Sequence, residues 1–185
     1  VAPAETAVAA APAATLTDEG MWLLNAFPSD RVAARYGFSP TQEWLDHVRL
    51  ASVRLAFGCS GSIVSPNGLV MTNHHCASDC IAKLSSAKSD YIKDGFYAKD
   101  EAAEPRCPDL EVNQLVGITD VTQRLEAATK TLTGGAYSQA QRAEMSRIEK
   151  ECATGADVRC DVVTLYHGGL YHLYKYRRHQ NVHLV

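Results

Sequence analysis

The run Gly58-Cys-Ser-Gly-Ser-Ile-Val-Ser-Pro-Asn-Gly-Leu-Val-Met-Thr-Asn-His-His-Cys76 decides how this chain folds. At its centre, Ser65-Pro66-Asn67-Gly68 is a turn, because Asn and Gly tolerate positive φ. Ile63 and Val64 lead in, and Leu69, Val70 and Met71 lead out, so the run reads as a β-hairpin. With Asn67-Gly68 as a two-residue loop, Pro66 faces Leu69 and, counting outward, Cys59 faces Cys76. Parity makes that a non-hydrogen-bonded pair, where Cα atoms approach to about 4.5 Å, a distance that suits a disulfide. Pro66 lacks the N–H of an ideal tight turn, so a looser turn with an offset register is the alternative.

A histidine beside a cysteine, at a strand end tied back to the neighbouring strand, has a chemical use. The bridge clamps the backbone next to the imidazole. A general base must sit within hydrogen-bond reach of its nucleophile, and small displacements are costly. Histidine titrates near neutrality, so it can take and return a proton. His75 is the candidate, being next to Cys76. On a strand, His74 points to the opposite face and reads as structural. In the hairpin register Ser60 faces His75, but Ser60 and Ser62 lack the sharp turn and adjacent N–H groups of an oxyanion hole, and read as strand residues. Asp79, Asp90, Asp94, Asp109, Asp157 and Asp161 are candidates for a third member by residue type alone.

Outward from the hairpin, Val53, Leu55 and Phe57 alternate as in a half-buried strand. Pro40 to Leu50 has a helical pattern, with Ser39 or Thr41 as cap and Trp44, Leu45, Val48 and Ala51 on one face. Tyr91 to Asp100 reads as an exposed loop or short helix, and Leu110 to Val116 as a strand. Asp120 to Thr131 is helical with Asp120 as cap, Gly134-Gly135 breaks the chain, and Ser138 to Cys152 is a second helix. Val162 to Tyr166 and Leu170 to Val185 read as strands around Gly168-Gly169. The helices over about 120–152 look like an insertion between strands.

The chain has 185 residues, a formal net charge of -3 and 46% hydrophobic residues, enough for one domain with a real core. The charge balance gives no reason to expect nucleic acid or an anionic membrane as partner. The short basic cluster of Lys175, Arg177 and Arg178 reads as a solvated strand face or partner contact. No apolar run is long enough for a transmembrane helix. Residues 1–16, mostly Ala, Val and Pro at the start, lack the basic start and Leu-rich centre of a secretory signal. They are expected to be a mature N-terminus left after signal removal, or a flexible leader.

Six cysteines at scattered spacings suit a disulfide framework in an oxidising compartment. Cys152 and Cys160 enclose a short Gly-containing loop and are expected to pair, leaving Cys80 with Cys107. The rival is zinc held by His74, His75, Cys76 and Cys80. It is disfavoured because adjacent strand residues diverge and the other cysteines stay unexplained.

The segment Gly58 to Cys76 resembles chymotrypsin-like serine peptidases, in which a Cys-Gly-Ser strand leads through a hairpin to Ala-His-Cys. Glu19-Gly-Met-Trp22, Glu43-Trp-Leu-Asp-His-Val-Arg-Leu-Ala-Ser-Val-Arg54, Gly58 to Cys76 and Tyr171-His-Leu-Tyr-Lys-Tyr-Arg-Arg178 resemble a narrower family, the S46 dipeptidyl peptidases of the dipeptidyl peptidase 7 and 11 group. The resemblance covers roughly residues 18–185. It implies a mostly β, chymotrypsin-like barrel with α insertions, the first barrel of a double-barrel serine peptidase. It implies dipeptide release from peptide N-termini, no cofactor or metal, and a bacterial periplasmic or secreted location. Implied partners are peptides with a free N-terminus and the remainder of the same peptidase, its second barrel and helical domain, and a homodimer stays open. His75 alone carries over as catalytic, because no position here matches the family's aspartate or serine. The chain alone is therefore expected to show no serine-dependent turnover. The competing reading is a non-catalytic peptide-binding module on a peptidase barrel.

Overall fold

The computed structural model describes residues 21–185. The leader expected over 1–16 lies outside the described residues. Two helices come first, α1 (Ser29–Tyr36) and α2 (Gln42–Ala51). Thr41 caps α2 by accepting the N–H of Trp44 through Oγ1 at 3.1 Å, as its residue type favours. Leu45 is buried and Trp44 meets Phe38 edge-on with ring centroids 5.5 Å apart. Arg49 of α2 donates to the Leu115 carbonyl at 2.8 Å, and Gln114 donates back to the Leu50 carbonyl at 2.8 Å.

Six strands follow: β1 (Ser52–Leu55), β2 (Ser60–Ile63), β3 (Val70–Thr72), β4 (Val112–Asp120), β5 (Val158–Leu165) and β6 (Leu170–His179). They form one antiparallel sheet in the order β3-β2-β1-β4-β6-β5. This corrects the expected barrel. Within the described residues the sheet stays open, with β3 and β5 as its two edges. The hairpin strands are only three and four residues long, too short to curl around and meet β5. The expectation of a mostly β chain is also corrected, since the helices hold more residues than the strands. The alternation through Phe57 stops at Leu55 because the chain turns there. Gly58 takes φ 96°, its N–H reaches the Leu55 carbonyl at 3.0 Å, and Phe57 is left exposed.

Between β3 and β4 lie α3 (His74–Leu84) and the short α4 (Tyr91–Asp94), and between β4 and β5 lie α5 (Thr122–Thr129) and α6 (Gly134–Cys152). Asp120 accepts the Thr122 N–H at 2.8 Å and so opens α5 as its position suggests. Gly134-Gly135 lies, as expected, at the break between the two helices, and α6 begins there, four residues before the expected Ser138. Gly134 takes φ 57° in the connection, which a residue with a Cβ rarely adopts.

Two apolar clusters result. Leu125, Ile148, Val162 and Tyr171 join α5 and α6 to the β5–β6 end of the sheet. Val53, Leu55 and Val112, with Cys59, Ile63, Val70, Cys76, Leu110 and Val182 around them, form the core behind the hairpin. Edge strand β5 is guarded by α6, whose Glu149 accepts the Val162 N–H at 2.8 Å.

Candidate active site

All six cysteines are paired, as Cys59–Cys76, Cys80–Cys107 and Cys152–Cys160. The three bridges are those the spacing suggests. The register beneath the first one differs from expectation. Ile63 pairs with Val70, Ser62 with Met71 and Gly61 with Thr72. The loop is therefore four residues rather than two. Ser65 accepts the Gly68 N–H at its carbonyl (3.3 Å) and the Leu69 N–H at its Oγ (3.0 Å). That sequesters two donors around Pro66, which has none. Continued outward, this register sets Cys59 opposite His74 and Ser60 opposite Asn73. The Cys59–Cys76 bridge closes with a Cα–Cα distance of 6.0 Å.

His74, His75 and Cys76 do not end a strand. They form the first turn of α3, after Asn73 in extended conformation (φ -77°, ψ 145°). This corrects the argument that His74 and His75 point to opposite faces, since both are exposed residues of one helical turn. It also removes Ser60 from the place opposite His75. Ser60 is instead a strand residue whose carbonyl accepts the Thr72 hydroxyl at 2.8 Å. The missed signal is local. Asn73 is a residue type that starts helices, and Cys76 and Cys80 are one helical turn apart, as are Ala77 and Ile81.

The backbone around His75 is held from several sides. Cys76 ties the first turn of α3 to the start of β2, and Cys80 ties the next turn to Cys107. Cys107 in turn donates its N–H to the Val182 carbonyl at 2.8 Å. The His75 carbonyl accepts the Ser78 hydroxyl at 2.9 Å. Cys76 and Cys80 face the protein and His75 faces solvent. A ring nitrogen of His75 and the sulfurs of Cys59 and Cys76 all lie within 4.8 Å of one another. As disulfide sulfurs these are not thiolates, and only the thiolate is a metal ligand. The same holds for Cys76 and Cys80 in the zinc set of His74, His75, Cys76 and Cys80. An imidazole in this place can accept a proton from a hydroxyl presented from outside.

Three of the six candidate aspartates have other partners. Asp109 pairs with Lys83 at 3.0 Å, Asp161 with Arg159 at 3.1 Å and Arg54 at 3.5 Å, and Asp90 caps α4 through the Lys93 N–H at 3.2 Å. Among the described residues no carboxylate is hydrogen-bonded to the His75 ring.

The basic cluster divides. Arg178 donates to Glu111 from Nε at 3.0 Å and Nη2 at 2.6 Å. Those bonds, with help from Asn113 and Gln180, hold the Glu111 carboxyl below the ordinary glutamate range against the opposing effect of burial. Lys175 and Arg177, together with Arg178, line an open cavity of about 710 Å³ with Arg106, His179 and Asp157; His75 is not among its lining residues.

Curated relatives match the sequence along nearly the whole chain. A dipeptidyl-peptidase 7 of Porphyromonas endodontalis is 36% identical over 182 residues, covering 92% of this chain and 22% of that protein. An Asp/Glu-specific dipeptidyl-peptidase of Shewanella putrefaciens is 32% identical over 176 residues, covering 91% of this chain and 24% of that protein. The crystal structure of Porphyromonas endodontalis DPP11 in an alternate conformation superposes with a TM-score of 0.77 at 30% identity, covering 91% of this chain and 27% of that one. The same enzyme in complex with the dipeptide Arg-Glu gives 0.74 at 28% identity, again over 91% of this chain and 27% of that one. The chain thus spans about a quarter of the length of the relatives it matches. The hairpin, its bridge and the helix that follows all fall within the match of the peptidase S46 family model, which runs over residues 17–185, and the chain belongs to that family.

Proposed function

We propose that this chain is the N-terminal part of a serine-type dipeptidyl peptidase, and that His75 is its general base. One observation carries the reading. His75 is an exposed residue of a helical turn and the one directly followed by a residue anchored by a disulfide. An imidazole used for proton transfer needs this combination of a fixed backbone and an open ring. His75 takes the proton from a serine hydroxyl supplied outside residues 1–185 and returns it to the leaving amine. The serine and its aspartate partner come from the remainder of the peptidase.

The uncovered edge at β3 leaves room for further strands. We take the sheet to be the first part of a chymotrypsin-like catalytic domain completed by that remainder. The substrates are peptides with a free N-terminus. Relatives bearing the names dipeptidyl-peptidase 7 and Asp/Glu-specific dipeptidyl-peptidase match at similar identity, so either substrate class fits this portion. Three disulfides favour a periplasmic or secreted location.

The test is His75→Ala in the longer enzyme. Its kcat on a dipeptidyl substrate should fall by about 10⁴-fold or more, with an unchanged circular dichroism spectrum because the side chain is exposed. Unchanged turnover would end the assignment of His75 as the base, whereas peptide binding without any dipeptide release by the parent protein would favour the non-catalytic module.

A further inference from the structure

The neighbours of His75 give it a second chemistry. Its ring nitrogen and the sulfurs of Cys59 and Cys76 lie within 4.8 Å of one another. While the sulfurs are bonded to each other they bind nothing. The three bridges differ in how far a reductant can reach them. Cys80 and Cys107 are 3% and 2% exposed, and the third bridge joins a half-buried Cys152 to Cys160 at 7%, so it is accessible from one side only. Cys59 and Cys76 are both half-buried, at the surface beside an exposed histidine. Thiol–disulfide exchange requires access of an attacking thiolate to sulfur, so access ranks Cys59–Cys76 first. Cys76 also lies in the first turn of α3, where the positive end of the helix dipole favours the departing sulfur as an anion.

We propose that reduction of Cys59–Cys76 by a dithiol turns Cys59, His75 and Cys76 into a Zn²⁺ site, and that the bound ion removes His75 from proton transfer. The dithiol gives two electrons and two protons and closes to its own cyclic disulfide. The S–S bond breaks, and Cys59 and Cys76 become thiols. Zinc then displaces both thiol protons to solvent. It is held by two thiolates and the neutral imidazole, with water in the fourth position, the ligand pattern of an open zinc site. With Zn–S of about 2.3 Å and Zn–N of about 2.0–2.1 Å, a tetrahedron needs its donors about 3.6–3.8 Å apart. The three atoms already lie within 4.8 Å, so rotation about side-chain bonds is sufficient once the sulfurs separate. The regulatory half of this proposal rests on the peptidase reading, whereas the binding half does not.

The experiment begins with the oxidised chain under limiting dithiol, followed by alkylation and peptide mapping. Cys59 and Cys76 should be labelled before the other four cysteines. Zn²⁺ is then titrated calorimetrically. One ion per chain is expected after limited reduction, and none in the oxidised chain. His75→Gln should weaken zinc by more than about tenfold, beyond the lower range seen for altered ligand shells, and Cys59→Ser with Cys76→Ser should abolish it. First labelling at another bridge, or zinc affinity untouched by His75→Gln, overturns the proposal. The labelling order is read before any global unfolding, so it decides even if the reduced chain is unstable. In the longer enzyme, zinc after limited reduction should stop turnover and a chelator should restore it. Neither labelling nor titration needs turnover, so a failed zinc site and a failed peptidase assignment are told apart.

Discussion

Cys59 is bonded to Cys76 across a Cα–Cα distance of 6.0 Å, although the strand register beneath them sets Cys59 opposite His74. The bridge reaches past the ladder to grip a helix. It fixes α3 to the sheet at the residue after the imidazole, and the strands alone would not.

Removing that grip should affect both stability and chemistry. Replacing Cys59 and Cys76 by Ser should lower unfolding free energy by about 2–4 kcal/mol, measured by urea denaturation. In the longer enzyme it should also lower kcat while leaving KM nearly unchanged, because the base is misplaced rather than the substrate. A variant with full kcat would show that the ring is positioned by something else.

Gly61 lies where β2 and β3 come together. A Cβ there would meet the Met71 carbonyl oxygen at 3.0 Å and Val70 Cγ1 at 3.1 Å. Backbone cannot yield as a flexible side chain does. Gly61→Ala should cost about 1–3 kcal/mol through overpacking and displace the hairpin that carries the bridge. Differential scanning calorimetry would read this as a lowered Tm.

Glu111 and Arg178 form an enclosed ion pair, with side chains 14% and 30% exposed. Arg178 holds the folded-state carboxyl below its ordinary range. A depressed acid stabilises the fold above the unfolded-state glutamate value and loses that contribution as pH falls through the folded value. Arg178→Ala should therefore cost about 1.5–3 kcal/mol at neutral pH, the range for hydrogen bonds to charged groups. The deficit should shrink as pH drops below the glutamate range. Urea midpoints of both proteins from pH 7 to pH 3 would show the two curves converging. A constant gap would mean that packing, not charge, is lost.

Leu125 is 1% exposed and sits among Ile148, Val162 and Tyr171. Leu125→Ala should cost about 2–5 kcal/mol, the transfer term plus the cavity it leaves. Turnover per folded molecule in the longer enzyme should stay near the parental value, because this cluster does not include the residues around His75.

Much of this was readable from residues. Asn67-Gly68 marked the hairpin, Thr41 the start of α2, and the loop between Cys152 and Cys160 marked a bridge. The register was harder, because it depends on the Ser65 side chain taking the Leu69 N–H, a choice that strand patterning does not encode. The helix at His74 was hidden for another reason. Its local signals, Asn73 and the one-turn spacing of Cys76 with Cys80 and of Ala77 with Ile81, run on past the hairpin that Cys76 closes, and Thr72-Asn-His-His-Cys76 by itself has neither an apolar period nor a capping box. Gly134-Gly135 marked the break between α5 and α6, where Gly134 takes a φ of 57° that suits glycine. Sheet closure was expected from resemblance alone, and strand number and length within the described residues do not provide it.

The two apolar clusters share no residue: the first leans on β6 through Tyr171 and Leu173 and the second on β4 through Val112, and these two strands pair with each other. Such an arrangement insulates. Local opening of the α5–α6 layer can occur as its own unit while the cystine and its imidazole neighbour keep their footing. The half of the sheet that carries α5 and α6 can therefore breathe, or drift in sequence, without disturbing the backbone around His75 at the far end.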